Sequence, residues 1–230
     1  MTARGGSANG FPKQTTTRHR SKTRAGAPLV SRVTGKPLPV LGGILCLDFV
    51  NTIDPRLKPP KEEYLNDYDR LVQWARFVGL ISDGQARGLA AWARSHKSKA
   101  ASIHHRAIEL REALYALFRR GTDVRRDLDV VNREATDLAS AVRLDITSDG
   151  YSISWEQGSE ILGPILQSAW ELLTSPELAR VRQCEGDGCG WVFVDRSRTH
   201  RRRWCSMAIC GNRVKAKKNR QRAARPNSSS

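Results

Sequence analysis

The sequence of 230 residues lacks any run of about twenty apolar residues, which is the length that a membrane-spanning helix needs. It also lacks the apolar stretch of about 7–15 residues and the cleavage site of a secretory signal, although arginines stand near its start. Of its five cysteines, four are clustered near one end, which is not typical of a secreted disulfide framework. These absences exclude a membrane span and predict a cytoplasmic protein.

Acidic residues are absent from the start of the chain and scarce at its end. Residues 1–40 contain eight Lys or Arg and no Asp or Glu, residues 41–181 contain eighteen against twenty, and residues 182–230 contain thirteen against three. A neutral centre between two basic ends predicts that the ends contact a polyanion while the centre has another role. The alternative is a generally cationic soluble protein, which would normally mix both signs over its surface.

Composition divides the chain into four parts. Residues 1–36 are rich in Gly, Ser, Thr, Lys and Arg and nearly free of apolar side chains, which predicts a disordered basic arm. We expect a folded body at residues 37–180, a small cysteine module with a basic helix at residues 181–225, and a disordered tail at residues 226–230.

Helical periodicity dominates the predicted body. The apolar run Leu38–Ile53 is compatible with either a buried strand or a core helix. Apolar residues at three- and four-residue spacings then predict helices over about residues 65–77, 82–96, 98–118, 123–141 and 161–173, of which the third is the central core helix. Ser82 with Gln85 three residues later predicts a capping box, and Gly121 is a predicted helix stop.

A β-hairpin interrupts this series of helices. Leu144–Thr147 and Tyr151–Trp155 alternate apolar and polar residues around Ser148, Asp149 and Gly150. Several helices, one hairpin and a further helix predict an α-rich α+β body and not a parallel βαβ fold.

Four cysteines form two closely spaced pairs. Cys184 and Cys189 are separated by four residues, as are Cys205 and Cys210, and fifteen residues lie between the pairs. This spacing predicts one structural zinc ion held by four thiolates, with no open position for a catalytic water. The second pair would lie at the start of the last helix, and loss of zinc would unfold the module while leaving the helices of the body intact. Redox-active or disulfide pairs are the alternative.

A cationic surface follows and partly overlaps the cysteines. Arg213, Lys217 and Arg220 share one face of a predicted helix that has almost no apolar seam. We expect contacts with nucleic acid from Arg196, Arg198, Arg201, Arg202, Arg203, Asn212, Arg213, Lys215, Lys217, Lys218, Arg220 and Arg222. A solvated tail that binds nothing in particular is the alternative.

Polar residues also stand inside the apolar run of the body. Asp48, Asn51 and Thr52 could line a pocket for a small-molecule effector, or they could make ordinary caps and buried hydrogen bonds. Cys46 in the same run is interpreted as a small core residue and not as a sensor.

Two further functional classes compete with DNA binding. Phosphate contacts do not distinguish nucleic acids, so an RNA- or ribosome-associated protein is the first alternative. A nuclease on a zinc scaffold is the second, with His200 and Asp195 as its only candidate pair. We expect no enzyme.

The residues carry a family resemblance. The C-terminal part resembles a CGNR zinc finger, named for the motif that stands here as Cys210-Gly211-Asn212-Arg213, and the body resembles the ABATE domain that precedes such fingers. The matching strings are LCLDFVNT at Leu45–Thr52, LREALYALF at Leu110–Phe118 and RVRQCEGDGCGWVFVDRSR at the entry into the finger. The resemblance covers roughly residues 38–222, and the basic arm at residues 1–36 departs from it.

The resemblance implies a bacterial, stress-related transcription regulator whose finger binds double-stranded DNA, with the four cysteines as zinc ligands. It also implies an α+β body, which we expect to sense an effector or to form a homodimer. Such a protein would lie at the bacterial nucleoid within the cytoplasm.

Overall fold

The computed structural model describes residues 27–119, 123–156 and 158–223. Within these ranges the chain is mainly helical, and its strands form three separate two-stranded antiparallel sheets. The α-rich α+β architecture predicted from the sequence is therefore confirmed. Most of the predicted basic arm, the predicted helix stop at Gly121 and the predicted tail at residues 226–230 lie outside the described residues.

The last part of the predicted arm packs onto the body. Leu29 is only 3% exposed, and its carbonyl accepts a hydrogen bond of 2.7 Å from the Leu38 N–H. The buried Ser31 hydroxyl accepts from the Thr34 N–H at 2.9 Å. The body thus begins before the predicted boundary at residue 37, because a few apolar side chains among polar neighbours find a place in the core.

The apolar run for which the sequence left strand and helix open forms a short helix, α1 (Leu45–Val50). Cys46, Leu47, Phe49 and Val50 are each 0% exposed. Helix α1 contacts two other helices of the body and one strand of the cysteine module. It therefore lies where the body and the module meet.

The five predicted helices of the body are all present. They are α2 (Tyr68–Phe77), α3 (Asp83–Ser95), α4 (Lys97–Phe118), α5 (Val124–Ala139) and α6 (Leu162–Leu173). The capping box at the start of α3 is confirmed, since the Ser82 hydroxyl accepts from the Gln85 N–H and the Gln85 side chain accepts from the Ser82 N–H. Helix α4 packs against α1, α2, α3 and α5, as predicted for the central helix.

Three strand pairs complete the described fold. Strands β1 (Ile53–Asp54) and β2 (Glu62–Glu63) bracket a loop at residues 55–61. The predicted hairpin is confirmed as β3 (Val142–Thr147) and β4 (Gly150–Trp155). A 3₁₀ helix at Pro176–Arg180 leads into β5 (Val181–Gln183), which pairs with β6 (Val192–Val194). A π-helical turn at Met207–Gly211 then opens the last helix, α7 (Asn212–Ala223).

A single hydrophobic core runs through the body and the cysteine module. Trp191, Val192 and Phe193 are at most 2% exposed and belong to the same cluster of buried side chains as α1, α4 and α6. No helix in the described ranges is both long and apolar enough to span a membrane.

Candidate metal centre and nucleic-acid interface

The four clustered cysteines have the geometry of a tetrahedral zinc site. Their Sγ atoms all lie within 4.8 Å of one another, with 3.8 Å between Cys189 and Cys205 and 3.7 Å between Cys205 and Cys210. Zinc–sulfur bonds of about 2.3 Å in a tetrahedron place the sulfur atoms about 3.8 Å apart. A disulfide would require a distance of about 2.05 Å, and all four cysteines are free. The residues therefore fit one zinc ion, and the disulfide alternative does not hold in this arrangement.

The surroundings of Cys184 Sγ favour its thiolate form. The four side chains are buried, and Cys184 Sγ accepts hydrogen bonds from the N–H groups of Gly186 and Cys205 at 3.4 and 3.3 Å. Hydrogen bonds from the neighbouring cysteines, Cys189 foremost, together with the Cys205 N–H, lower the pKa of Cys184. Four protein thiolates fill the coordination shell of zinc, so the ion has a structural role.

Glycine allows the first cysteine pair to close around the site. A Cβ atom at Gly186 would lie 2.9 Å from Cys210 Sγ and 3.3 Å from Cys189 Cβ. Gly188 and Gly190 have φ of 73° and 70°, in the left-handed region that other residues rarely adopt. The turn between Cys184 and Trp191 therefore depends on glycine at several places.

We expect Gly186→Ala to weaken zinc binding by about 10- to 100-fold. The added methyl group must displace a metal ligand, and such overpacking typically costs about 1–3 kcal/mol. Competition with a chromophoric chelator measures the affinity. The matched control is Gly88→Ala in α3, where an added Cβ has nothing within 4 Å and zinc affinity should not change. Equal affinities for both variants would contradict the role given to Gly186.

The loop between β1 and β2 covers the glycine-containing turn between Cys184 and Trp191 in the cysteine module, which we call the finger. The N–H groups of Arg56 and Leu57 donate to the carbonyls of Cys189 and Gly188 at 2.9 and 3.0 Å. Leu57 also lies close to Gly190, since a Cβ atom at Gly190 would be 2.4 Å from Leu57 Cγ. Sequence reasoning missed this contact, because a proline-rich loop carries no pattern that reveals its partner.

Two buried arginines hold this loop on α4. Arg56 pairs with Glu112 at 2.7 Å, and its guanidinium lies 3.8 Å from the centre of the Tyr115 ring. Arg111 is 2% exposed and binds both carboxylate oxygens of Glu63 at 2.6 and 2.7 Å. Burial opposes the charged form of Glu112, but the hydrogen bonds and positive charges of Arg56 and Arg111 together outweigh it and lower the pKa of Glu112. The ion pairs thus connect α4 to the loop that covers the turn between Cys184 and Trp191.

The three residues proposed for an effector pocket make internal hydrogen bonds. Asn51 exchanges two bonds with the backbone of Val192 in β6, at 2.8 and 3.0 Å. The Thr52 hydroxyl donates to the Phe49 carbonyl at 2.8 Å, and an Asp48 oxygen accepts from the Gly42 N–H at 2.7 Å. These contacts correspond to the alternative interpretation, in which the polar residues serve caps and buried hydrogen bonds. Asn51 joins the body to the finger.

Two aromatic side chains cross the same junction. The Tyr115 hydroxyl of α4 donates to the Gly190 carbonyl at 2.9 Å, and the Trp191 indole N–H donates to the Ile53 carbonyl at 2.8 Å. The Gly190 carbonyl also accepts a longer bond of 3.5 Å from the Gln183 amide. Because buried carbonyls need hydrogen-bond partners, the bonds from Tyr115 and Trp191 favour the docked finger. The helical spacing of α4 indicated its core face but not this hydroxyl contact.

The fifth cysteine lies apart from the metal centre. Cys46 is buried in α1, and its thiol donates to the Ser168 carbonyl at 3.6 Å. Burial raises the pKa of Cys46 to about 12, so the thiol stays protonated at neutral pH. Its position corresponds to the core role predicted from the sequence.

Asp195 organises the segment between β6 and the second cysteine pair. One carboxylate oxygen accepts from the N–H and hydroxyl of Ser197, and the other accepts from the Arg202 N–H at 2.9 Å. Burial acts against the charged form, but these hydrogen bonds lower the pKa of Asp195. His200 contacts the backbone carbonyl of Asp195 at 3.2 Å and not its carboxylate. The His–Asp pair that a nuclease would need is therefore not formed in this arrangement.

Four of the predicted nucleic-acid residues have partners within the protein. Arg196 pairs with Glu177 at 2.7 Å, and Arg203 pairs with Glu185. Lys217 of α7 pairs with Asp187 of the zinc turn at 2.8 Å. Arg202 donates to the Trp204 carbonyl at 2.8 Å and lies 4.3 Å from the centre of the Phe193 ring. These side chains therefore make contacts within the protein.

The remaining predicted cations are exposed and form no ion pair within the described part of the chain, although the charge of Arg213 acts on the carboxyl groups of Asp54 and Asp187. No ion pair or side-chain hydrogen bond to another described residue is formed by Arg198, Arg201, Arg213, Lys215, Lys218, Arg220 or Arg222. Asn212 is likewise exposed at the start of α7. Helix α7 buries none of its residues and contains no acidic one. The structure thus brings most of the predicted cations together on one protruding helix.

The fold and the metal centre define a zinc-finger protein in which a helical body and a four-cysteine finger share one core. A search of curated proteins finds no match. Family models match both parts of the chain. The chain belongs to the ABATE family, whose model is described as "Putative stress-induced transcription regulator" and matches residues 43–176. A second model, the CGNR zinc finger, matches residues 180–223.

Proposed function

We propose that this protein is a transcription regulator that binds double-stranded DNA through α7 and the neighbouring loop at residues 196–203. The observation that carries the proposal is the exposed surface of α7, whose twelve residues include six Lys or Arg, no acid and no buried side chain. Such a helix is about 18 Å long and fits the major groove, which is about 12 Å wide. The family description supports a regulator, and the charge distribution supports a polyanionic partner.

The zinc centre supports this helix at its N-terminal end. Isolated helices of about twelve residues are marginal in water, and like charges four residues apart, such as Arg213 with Lys217 and Lys218 with Arg222, destabilise them further. The π-helical turn at Met207–Gly211 leads into α7 and is capped by the Ser206 hydroxyl, which accepts from the Ile209 N–H at 3.3 Å. Cys205 and Cys210 anchor this turn at the metal site. Phosphate groups would offset the repulsion along the rest of α7.

Selection of preferred duplexes from a random DNA pool tests the proposal. We expect an enriched sequence that the zinc-loaded protein binds at least about 1000-fold more tightly than a scrambled duplex at the same salt concentration. Fluorescence anisotropy compares that duplex, the scrambled duplex and a structured RNA. An unenriched pool, or tighter binding of the RNA, would contradict the proposal and favour an RNA-associated role.

In this function the body has the regulatory role, and no residue carries out a catalytic step. The protein acts in the cytoplasm, where bacterial DNA lies. A small-molecule effector would act by changing how the body holds the finger. The body contacts the finger through Asn51, Tyr115 and the loop at residues 55–58.

A further inference from the structure

The hairpin of β3 and β4 has one apolar face and one polar face. Its cross-strand pairs on the first face are Val142 with Trp155, Leu144 with Ile153 and Ile146 with Tyr151. On the opposite face Arg143 pairs with Ser154, Asp145 with Ser152 and Thr147 with Gly150. Side chains alternate between the faces of a strand, so this register gathers every large apolar residue on one side.

That apolar face is open to solvent in the single chain. Leu144, Ile146 and Tyr151 are 70%, 85% and 75% exposed, and Ile153 is 51% exposed. Only the base of the hairpin is packed, where the Trp155 ring lies against Gly163 of α6. A Cβ atom at Gly163 would lie 2.2 Å from the Trp155 ring. A two-stranded hairpin alone is marginally stable in water, so an exposed one of this kind gains from a further layer.

No part of this chain outside the described residues has the composition to cover the face. Residues 1–26, 120–122, 157 and 224–230 contain no Val, Leu or Ile, and Phe11 is their one aromatic residue. The occupant is therefore another molecule. Residues 142–156 contain three acidic residues, Asp145, Asp149 and Glu156, and one basic residue, Arg143. The net negative charge of the hairpin disfavours both nucleic acid and an anionic lipid surface.

The size of the face fits a second copy of the same chain. We estimate its exposed surface at roughly 600 Å², the upper end of the largest apolar patch on an ordinary monomer. Two such faces together would bury about 1200 Å², which reaches the lower limit of stable protein interfaces. A two-fold axis places each apolar row opposite its own copy, so the surface is complementary to itself without a second partner.

We propose that the protein forms a homodimer in which the apolar faces of two β3–β4 hairpins pack against each other. The two hairpins form a small sandwich, with Leu144, Ile146, Tyr151 and Ile153 buried between them and the polar faces turned outwards. The metal centre and α7 take no part in this interface, which involves residues 142–155 alone.

Sedimentation equilibrium of the full-length zinc-loaded chain, without nucleic acid, tests the dimer. From submicromolar to high micromolar concentrations, the mass should rise towards twice the 25.7 kDa of one chain. Ile146→Lys should raise the dissociation constant of the dimer at least about tenfold, since it places a charge in the buried face. Because Ile146 is 85% exposed in the single chain, the variant should keep its zinc content and helical circular dichroism.

The matched control is Ser152→Lys, which adds the same charge to the opposite face of the hairpin and should leave the dissociation constant unchanged. A second measurement uses Tyr151→Cys, which a short bis-maleimide should join into covalent dimers. A wild-type chain that stays at the monomer mass throughout would overturn the proposal. Equal effects of both lysine variants would overturn it as well, since the apolar face would then have no special role.

Discussion

Replacing Cys205 by serine is expected to remove zinc and to lower the thermal midpoint of the body as well as that of the finger. Cys205 Sγ lies 3.8 Å from Cys189 and 3.7 Å from Cys210, and its N–H donates to Cys184 Sγ. Structural zinc contributes about 10–16 kcal/mol in isolated fingers, whereas whole domains are stable by about 5–15 kcal/mol. The finger therefore cannot stay folded when the ion is lost.

The effect reaches the body because the two parts share one core. Unfolding the finger withdraws Trp191 and Phe193 from that core and breaks the bonds of Asn51 and Tyr115 to the finger backbone. Burial of each large apolar side chain contributes about 1.5–3 kcal/mol, and in a chain of this size each 1 kcal/mol shifts the midpoint by about 2–4 °C. We expect a fall of about 10 °C. The sequence alone predicts intact body helices after loss of zinc, and the structure changes that expectation.

Zinc content and thermal unfolding followed by far-ultraviolet circular dichroism provide the measurement. Most helices belong to the body, so the signal reports on the body and not on the finger. Cys46→Ala is the control, because it removes a buried cysteine outside the metal centre and should leave one zinc ion per chain. If Cys205→Ser loses zinc while the body melts at the wild-type temperature, the finger is an independent module.

Features fixed by neighbouring residues could be predicted from the sequence. The capping box of Ser82 and Gln85, the five body helices and the hairpin depend on spacings of a few residues. The zinc centre belongs to the same group, because paired cysteines at short spacing restrict the geometry of the turn that carries them. Periodicity could not assign the run around α1, since a short, largely buried helix and a buried strand are similarly apolar.

Features that depend on distant contacts could not be predicted. Asn51 and Val192 are far apart in the chain, and so are Arg56 and Glu112, whose pairing holds the loop over the zinc turn. A polar residue inside an apolar run shows that a partner exists but does not reveal which one. The partners of Arg196, Arg203 and Lys217 are acidic residues of the finger or the segment before it, and only the folded chain separates these cations from the unpaired ones.

Removing three of the unpaired cations of α7 should weaken DNA binding on the order of 100-fold. The variant combines Arg213→Ala, Arg220→Ala and Arg222→Ala, and alanine preserves helix propensity. If each phosphate contact contributes about 1 kcal/mol, three of them change the dissociation constant by about two orders of magnitude. Lys217 is left in place because its pairing with Asp187 supports the finger.

The salt dependence of binding distinguishes phosphate contacts from general loss of charge. Each lost contact to duplex DNA should reduce the slope of log K against log salt by about 0.9, or about 2.7 for the triple variant. The control variant removes the same charge from exposed arginines of the body, through Arg87→Ala, Arg94→Ala and Arg125→Ala. It should keep nearly the full slope. Equal losses in both variants would mean that net charge, and not α7, governs the affinity.

The same titration also separates positioning from sequence recognition. A variant that binds every duplex more weakly by the same factor has lost phosphate contacts, whereas a variant that keeps its slope but no longer prefers the selected duplex has lost contacts to base edges. Arg213 follows Asn212 at the start of α7, next to the metal centre, while Arg222 stands at its far end. Helices that enter the major groove commonly read bases with their N-terminal residues. Arg213→Ala alone should therefore reduce sequence preference as well as the slope, and Arg222→Ala alone should reduce only the slope.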